Sequence, residues 1–258
     1  MWVLETAAVA FSMFSALPMP QFDWNERNMR YALCAFPLIG AVIGLSWWCW
    51  TWAALRLGLP VLLAGAVRCA LPAVITGGIH LDGYADTQDA LASHADPERR
   101  QEILKDPHCG AFAVVRLCVY DVVYFALCCS MEPTKTALWC AGWSFVLSRA
   151  LSGLALTVLP LAKDTGLAHT FATAADKKRV RVFLAVLSLV CAAALCWFGR
   201  IAGLGMLAAA GAVFARYARM SKKEFGGVSG DLAGWFLVKT EFWMLAALVL
   251  AQYGERLI

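Results

Sequence analysis

Charged side chains are scarce in this sequence, at 16% of its 258 residues, whereas soluble domains usually carry about 25%. Apolar residues make up 61% of the chain. A soluble protein with a very large core is the alternative explanation, but so many long apolar runs would need much more polar surface to cover them. The lack of charge therefore indicates an integral membrane protein.

The sequence also lacks the patterns that mark several other protein classes. None of its ten cysteines forms a C-x-x-C pair, which argues against a zinc or redox centre. Most of them lie in apolar segments, where cysteine behaves as a small apolar residue. No internal repeat and no polar linker divides the chain. We therefore expect one membrane-embedded domain that covers residues 1–258.

Apolar segments of about 18 residues or more recur, and each is long enough to cross the ~30 Å hydrocarbon core. The first, 2–17, contains Glu5 and has no basic residues before it, so we expect a membrane-lying or partly inserted helix rather than a cleavable signal. The predicted fold class is all-α, a polytopic integral membrane protein with seven transmembrane helices besides this uncertain N-terminal one. The seven predicted spans are 31–55, 60–79, 111–131, 136–162, 182–198, 201–217 and 234–253.

Basic residues distinguish the two sides of the membrane. Most of the 22 Lys and Arg residues lie in four longer loops, at 18–30, 80–110, 163–181 and 216–232, which alternate with very short turns. Because basic residues favour the cytoplasm, we expect all four longer loops on that side. The net charge of +4 then reflects membrane topology, and no nucleic-acid partner is expected.

Three aspartates follow the second predicted span. The stretch 77–90 reads G-G-I-H-L-D-G-Y-A-D-T-Q-D-A and places Asp82, Asp86 and Asp89 at i, i+4 and i+7, which is one face of a helix. The carboxylates would repel each other unless a cation lay between them, and Mg²⁺ prefers such oxygen ligands. A solvated acidic helix end with Asp82 as its N-cap is the alternative. No Lys or Arg is interleaved, which favours metal binding.

Two further polar stretches are predicted on the same side. Residues 98–110 supply Lys105 and Asp106, and 226–231 form the glycine-rich turn G-G-V-S-G-D, which ends in Asp231. Glycines let backbone N–H groups approach a phosphate closely, although such a turn is also common as a simple tight loop. The turn's glycines are Gly226, Gly227 and Gly230.

Ionisable residues within predicted spans form a third group. Arg149 lies near the middle of its span, where an unpaired charge is costly, so we expect it to contact a substrate phosphate or the aspartates. The alternative is a structural role in which Arg149 pairs with Glu241. Lys239 and Glu241 are two residues apart and do not face each other along a helix, so their partners should lie elsewhere.

These motifs resemble the cobalamin synthase family, the adenosylcobinamide-GDP ribazoletransferases. The stretch 77–90 and the K-D-x-x-x-G-x-F-x-V pattern that begins at Lys105 are the most specific elements. Tyr84, Gln88 and Cys109 stand where other residues are expected in many relatives, but no carboxylate is affected. The matching elements extend over almost the whole chain and lie at 14–20, 36–44, 77–90, 98–114, 148–150 and 226–231.

The resemblance implies transfer of the adenosylcobinamide phosphate group from adenosylcobinamide-GDP to α-ribazole or its 5′-phosphate, with GMP released. It implies Mg²⁺ as the cofactor, because metal ions and precise positioning carry most phosphoryl transfer. His80 or Asp89 would act as general base, although His80 could equally only bond the backbone. The implied catalytic residues are His80, Asp82, Asp86 and Asp89; the phosphate ligands are Lys105, Arg149, Gly226, Gly227 and Gly230; the metal ligands are Asp82, Asp86, Asp89, Asp106 and Asp231.

The expected location is a bacterial cytoplasmic (inner) membrane, with the lipid bilayer as a partner and the active site facing the cytoplasm. Whether the protein forms a homo-oligomer is left open. Two other functions are weighed. A CDP-alcohol-type phosphotransferase would use similar aspartates at a membrane surface, by analogy of chemistry alone. A cation transporter would usually place its carboxylates near the bilayer midplane, unlike the pattern here.

Overall fold

The computed structural model describes residues 2–162 and 167–256, without the side chains of 167 and 168. These residues form twelve helices and no strand, which confirms the all-α prediction. The helices are α1 (Trp2–Phe14), α2 (Glu26–Met29), α3 (Ala32–Arg56), α4 (Val61–Thr76), α5 (Ile79–Ala92), α6 (Pro97–Ile103), α7 (Ala111–Ser130), α8 (Lys135–Val158), α9 (Leu167–Ala174), α10 (Lys177–Gly199), α11 (Ile201–Phe225) and α12 (Gly230–Glu255).

Six helices are long and apolar enough to cross a membrane: α3, α7, α8, α10, α11 and α12. The predicted span 60–79 is different, because α4 has only 16 residues and α5 leaves it at an angle of 93°. Together α4 and α5 form a broken seventh span or a re-entrant segment. Helix α1 has 13 residues, or about 20 Å of helix, which is shorter than the hydrocarbon core.

Two helices extend beyond their predicted spans at the polar end. Helix α10 begins at Lys177, where the side chain of Asp176 accepts a hydrogen bond from the Arg179 amide. Helix α11 continues to Phe225, eight residues past the predicted end at 217, and stops at Gly226 with φ of +76°. Apolar length alone underestimated both helices, since capping groups rather than hydropathy decide where a helix ends.

Helices α8 and α12 lie at the centre of the bundle, whereas α7 and α10 are the most exposed of the six long helices. Helix α3 packs closely on α8 through two glycines. A Cβ atom on Gly40 would collide with the carbonyl oxygen of Phe145, and one on Gly44 would lie 2.8 Å from the Cα of Gly142. The two backbones are too close at these points for larger side chains, so small residues are required at this interface.

The four longer loops lie at one end of the bundle. Arg30 pairs with Asp176 at 3.2 Å and so connects loops 18–30 and 163–181. The Gln101 side chain donates to the carbonyl of Phe225 at 2.8 Å and connects loops 80–110 and 216–232. The Val228 amide donates to the carbonyl of Pro160 at 2.8 Å, next to the third loop.

The short turns lie at the other end. The amide of Glu132 donates to the side chain of Gln252 at 3.0 Å, and Gly58, Pro133 and Tyr253 surround one cavity there. The alternation of long and short loops, and therefore the grouping of the basic loops at one end, agrees with the sequence prediction.

Candidate active site

The break between α4 and α5 creates the site's acidic helix. Gly77 and Gly78 have φ angles of +65° and +79°, a region that glycine occupies without the penalty of a side chain. The Gly78 amide donates to the carbonyl of Ala73 at 2.9 Å and closes α4. Asp82 is the fourth residue of the new helix, and its amide donates to the carbonyl of Gly78. The alternative with Asp82 as N-cap is therefore wrong.

Glycines bring α5 and α12 together face to face. A Cβ atom on Gly83 would lie 2.8 Å from both the Cα and the carbonyl oxygen of Asp231, and one on Gly234 would lie 2.9 Å from the carbonyl oxygen of His80. The two backbones touch because neither glycine has a side chain. This contact brings Asp231, which is 142 positions or more away in sequence from the stretch 77–89, against the acidic helix.

The carboxylates of this region influence each other electrostatically. Burial and neighbouring negative charge together raise the pKa of Asp86, which lies outside the six long helices, to about 6. Burial is the largest cause, followed by the charges of Asp82, Asp231 and Asp89 in that order. A carboxyl group surrounded by like charges favours the proton. The structure thus groups the three aspartates of α5 with Asp231 as one negatively charged region.

This charged region suits a hard cation in its chemistry. Its donors are carboxylate oxygens, which Mg²⁺ prefers, and a divalent ion would relieve the repulsion felt by Asp86. Among residues 2–162 and 167–256, however, no three His, Cys, Asp or Glu side chains are arranged closely enough to hold one ion. The donors fit the cation by type, and ligation would require their side chains to converge.

A cavity of about 500 Å³, which we name the acidic cavity, lies between α1, α3, α5, α8 and α12. Its polar lining includes Asp82, Lys105, Gly230 and Asp231. An ammonium group therefore shares a cavity with two carboxylates, although Lys105 comes from the loop after α6 and Asp231 from the start of α12. Such mixed charge suits a ligand that carries phosphates together with a metal ion.

The glycine-rich turn divides into a structural part and a part that faces the acidic cavity. Gly226 ends α11, and a Cβ atom on Gly227 would lie 2.5 Å from the carbonyl carbon of Leu161. The Ala162 amide also donates to the carbonyl of Val228 at 2.9 Å. Fold requirements thus account for Gly226 and Gly227, which do not line the cavity. Gly230 does, and no atom lies within 4 Å of its Cβ position.

The N-terminus of α12 opens on the acidic cavity. Ser229 caps it by accepting a hydrogen bond from the Leu232 amide at 3.3 Å, and both Ser229 and Gly230 line the cavity. A helix N-terminus carries partial positive charge and free N–H groups. It can therefore bind phosphate oxygens as many helix N-termini do.

Asp89 and Asp106 lie outside the lining of the acidic cavity. The carboxylate of Asp89 packs against Gly110 at the N-terminus of α7, where a Cβ atom would overlap both carboxylate oxygens. Asp106 is exposed and 2.7 Å from the Nδ1 atom of His108. A hydrogen bond from the His108 amide is the main cause that lowers the pKa of Asp106. The predicted metal roles of both residues stay predictions.

Arg149 forms an ion pair in the centre of the bundle. Its Nη1 atom lies 2.6 Å from Oε1 of Glu241, with 1% and 8% of the two side chains exposed. Nη1 also donates to the carbonyl of Phe145 at 3.0 Å, and Ser148 Oγ donates to Glu241 Oε1 at 3.0 Å. Arg149 is absent from the acidic-cavity lining. The structure therefore supports the pairing alternative, and the phosphate contact of Arg149 stays a prediction.

His80 lies where the polar groups of α5 meet the bundle centre. It lines the acidic cavity together with Asp82, and its Nε2 atom is buried without a hydrogen-bond partner in the described part of the chain. Its ring packs edge-on against Phe36 at 5.8 Å between centroids. A buried ring nitrogen with no partner is available to a ligand, which sets His80 apart from a histidine that only bonds the backbone.

Sequence reasoning missed two charged features of the structure. Asp121 lies midway along α7 and is exposed; its position within an apolar run was the signal that could have identified it. Arg100 forms an ion pair with Glu224 and so joins α6 to α11. Nothing in the local sequence predicts the ion pair between Arg100 and Glu224, because it depends on how the helices pack.

Fold and cavity together define a polytopic helical membrane protein with a mixed-charge binding site at its basic end. A sequence profile for Cobalamin-5-phosphate synthase matches residues 6–249. The adenosylcobinamide-GDP ribazoletransferase of Lachnoclostridium phytofermentans is 42% identical over 250 residues, 96% of this chain and 95% of that protein. A protein of the same name from Clostridium perfringens (strain SM101) is 30% identical over 234 residues, 91% of this chain and 93% of that protein.

The chain therefore belongs to the Cobalamin-5-phosphate synthase family, which confirms the resemblance found in the sequence. No solved structure matches it. The comparisons lend no support to the two other functions weighed, a CDP-alcohol-type phosphotransferase and a cation transporter.

Proposed function

We propose that this protein transfers the adenosylcobinamide phosphate group from adenosylcobinamide-GDP to α-ribazole or its 5′-phosphate. Relatives that share 42% and 30% of its residues over more than nine-tenths of the chain carry the name of this activity. The structural observation that carries the proposal is the acidic cavity, where Asp82, Lys105 and Asp231 meet the N-terminus of α12. Charges of both signs around one cavity suit a diphosphate and its metal ion.

The reaction exchanges one oxygen–phosphorus bond for another. A ribose hydroxyl of the acceptor attacks the phosphorus attached to cobinamide; a new P–O bond forms, the P–O bond to GMP breaks, and the hydroxyl proton goes to a base. Lys105 and the first N–H groups of α12 bind phosphate oxygens. His80 receives the proton in this proposal. The support is that its Nε2 atom has no hydrogen-bond partner among the described residues and that His80 lines the same cavity. Positioning of this kind supplies much of the rate in phosphoryl transfer.

Mg²⁺ is the proposed cofactor. Asp82, Asp86 and Asp231 would hold it, with Asp89 as a further carboxylate of the same charged region. When bound, the ion would neutralise charge on the transferring phosphate. The support is the oxygen-only donor set and the raised pKa of Asp86, to which the charges of Asp82, Asp231 and Asp89 contribute after burial.

The site is proposed to face the cytoplasm of a bacterial inner membrane. The support is that the four loops rich in Lys and Arg lie at the end of the bundle where Lys105 and Asp231 line the cavity. Basic residues favour the cytoplasmic side. Nucleotide-bearing substrates would then reach the cavity from the compartment in which they are made.

Purified protein incubated with adenosylcobinamide-GDP, α-ribazole and Mg²⁺ should release GMP and form adenosylcobalamin in equal amounts. Asp82→Asn should abolish the reaction, while Asp23→Asn, in the exposed segment before α2, should leave it unchanged. Chromatography of both products gives the stoichiometry. GMP release without a corrinoid product would point to hydrolysis instead, and the absence of both products would reject the proposal.

A further inference from the structure

A second cavity of about 500 Å³ lies between α4, α5, α7, α8 and α12, and we name it the lateral cavity. Its outer rim contains Ala66, Ala70, Asp121 and Val122, all of which are exposed. These rim residues belong to helices at the edge of the bundle. The cavity is therefore accessible from the side of the protein, whereas the acidic cavity lies among the long loops.

The two cavities adjoin. His80 and Leu237 line both of them, so that one residue of α5 and one of α12 form the partition. A ligand that extends past this partition would occupy both cavities at once. The proposed acceptor has two chemically different halves, a ribose and an aromatic base, and so fits two adjoining cavities of different character.

Aromatic side chains form one wall of the lateral cavity. Tyr120 and Tyr124 are one helical turn apart on α7, with ring centroids 5.4 Å apart and planes within 13° of parallel. Both are buried, and the other lining residues are mostly Ala, Leu, Val and Pro. Flat, apolar walls of this kind suit a planar heterocycle, which buries a large area at little entropic cost.

Polar groups without partners face the same space. Asp121 has no hydrogen bond or ion pair among the described residues, although it lies midway along a membrane-spanning helix. The Nε2 atom of His80 and the Nε atom of Arg149 are buried and also unpartnered, and both residues line the cavity. An acyl chain of a lipid would leave the two buried nitrogens unsatisfied and would place the carboxyl group of Asp121 against hydrocarbon, and both are costly.

We infer that the lateral cavity binds the aromatic base of the nucleoside acceptor, while its ribose extends past His80 into the acidic cavity. The inference rests on the proposed function. The carboxyl group of Asp121 shares a proton with the free ring nitrogen of the base, and the benzimidazole ring of α-ribazole lies against the tyrosine wall. The lateral cavity thereby selects the base, and the acidic cavity carries out the transfer.

A cavity-filling variant tests this assignment. Ala73 lines the lateral cavity, and its neighbour Val74 is exposed and does not. Ala73→Leu should raise the KM for α-ribazole about tenfold, the effect of a few misplaced methyl groups in a specificity pocket. It should leave the KM for adenosylcobinamide-GDP unchanged. Val74→Leu is the matched control and should change neither constant.

A second variant covers the case in which Ala73→Leu fails to fold. Asp121→Leu removes the carboxyl group and lowers the cost of inserting α7. The unmodified protein should prefer α-ribazole over an indole riboside, which lacks the ring nitrogen, and Asp121→Leu should lose that preference. An undiminished preference, or an unchanged α-ribazole KM in Ala73→Leu, would overturn the inference. So would loss of co-purified phospholipid from Ala73→Leu with unaltered kinetics, because that result assigns the cavity to an acyl chain.

Failure of the inference can be told apart from failure of the proposed function. Equilibrium dialysis of labelled α-ribazole, without the second substrate, measures the acceptor site alone. If the protein binds α-ribazole in an Asp121-dependent manner but releases no GMP, the proposed transfer is wrong and the base-binding cavity stands. If GMP is released and neither variant alters α-ribazole binding, the transfer stands and the cavity assignment is wrong.

Discussion

The ion pair of Arg149 and Glu241 should stabilise the fold more strongly than any neutral contact around it. Arg149→Met leaves Glu241 buried, with Ser148 as its remaining hydrogen-bond partner. Leaving one charge of a buried pair without its partner typically costs about 3–5 kcal/mol. Ser148→Ala removes a single interhelical hydrogen bond, the one to Glu241, and such bonds in membranes average about 0.6 kcal/mol. The two substitutions, at adjacent positions, should therefore differ severalfold in their effect on the free energy of unfolding.

Unfolding in mixed detergent micelles measures the difference. Glu241→Gln in the Arg149→Met background should restore part of the lost stability, since a neutral amide needs no counter-charge and can still accept from Ser148. Arg149→Lys should fall between the unmodified protein and Arg149→Met, because a single ammonium can keep the pair with Glu241 but not the planar contact with both Glu241 and Phe145. Wild-type stability in Arg149→Met would refute the argument, and an inactive but fully stable variant would restore the predicted contact with substrate.

Three further predictions concern the metal, the topology and the response to acid. EDTA should abolish turnover, and Mg²⁺ should restore it. Asp82→Asn and Asp86→Asn should each reduce turnover by orders of magnitude without changing the melting temperature. Full activity in either variant would show that the replaced aspartate does not bind the metal. Single cysteines at Lys178 and Lys222 should react with an impermeant maleimide from the cytoplasm, and one at Lys135 from the opposite side; labelling of all three from one side would contradict the topology. Asp176→Asn should keep the cap of α10 but lose acid sensitivity, a difference that thermal melting at pH 6 and pH 3 would reveal.

The sign of the last effect follows from Asp176 itself. The Arg179 amide, followed by Arg30, holds its pKa below the usual 3.8 in the folded protein. A carboxyl group with a lowered pKa in the folded state stabilises the fold at pH values above its pKa in the unfolded state. This stabilisation is lost as the pH falls through its pKa in the folded state. The stability gap between the unmodified protein and Asp176→Asn should therefore narrow below about pH 4. A gap that widens in acid would contradict this linkage.

Part of the candidate site could be predicted from local sequence. The spacing of Asp82, Asp86 and Asp89 predicted one acidic helix face, and the structure places all three on α5. The association of Lys105 and Asp231 with Asp82 was also predicted, on the expectation that their loops share one side of the membrane. The sequence could not predict which glycines of 226–231 are required by the fold and which one lines the cavity. Gly227 is required by its contact with Leu161, 66 positions earlier.

The sequence by itself determined the class of the protein and the grouping of its long loops at one end of the helix bundle. Hydropathy and charge act residue by residue, through the free energy of placing each side chain in lipid or water, so no knowledge of neighbours is needed. Tertiary structure alone decided which groups meet: Arg149 with Glu241, Asp231 with α5, and His80 between two cavities. Those contacts depend on helix order, rotation and the close approach allowed at Gly83 and Gly234, and none of these is encoded in the composition of a single segment.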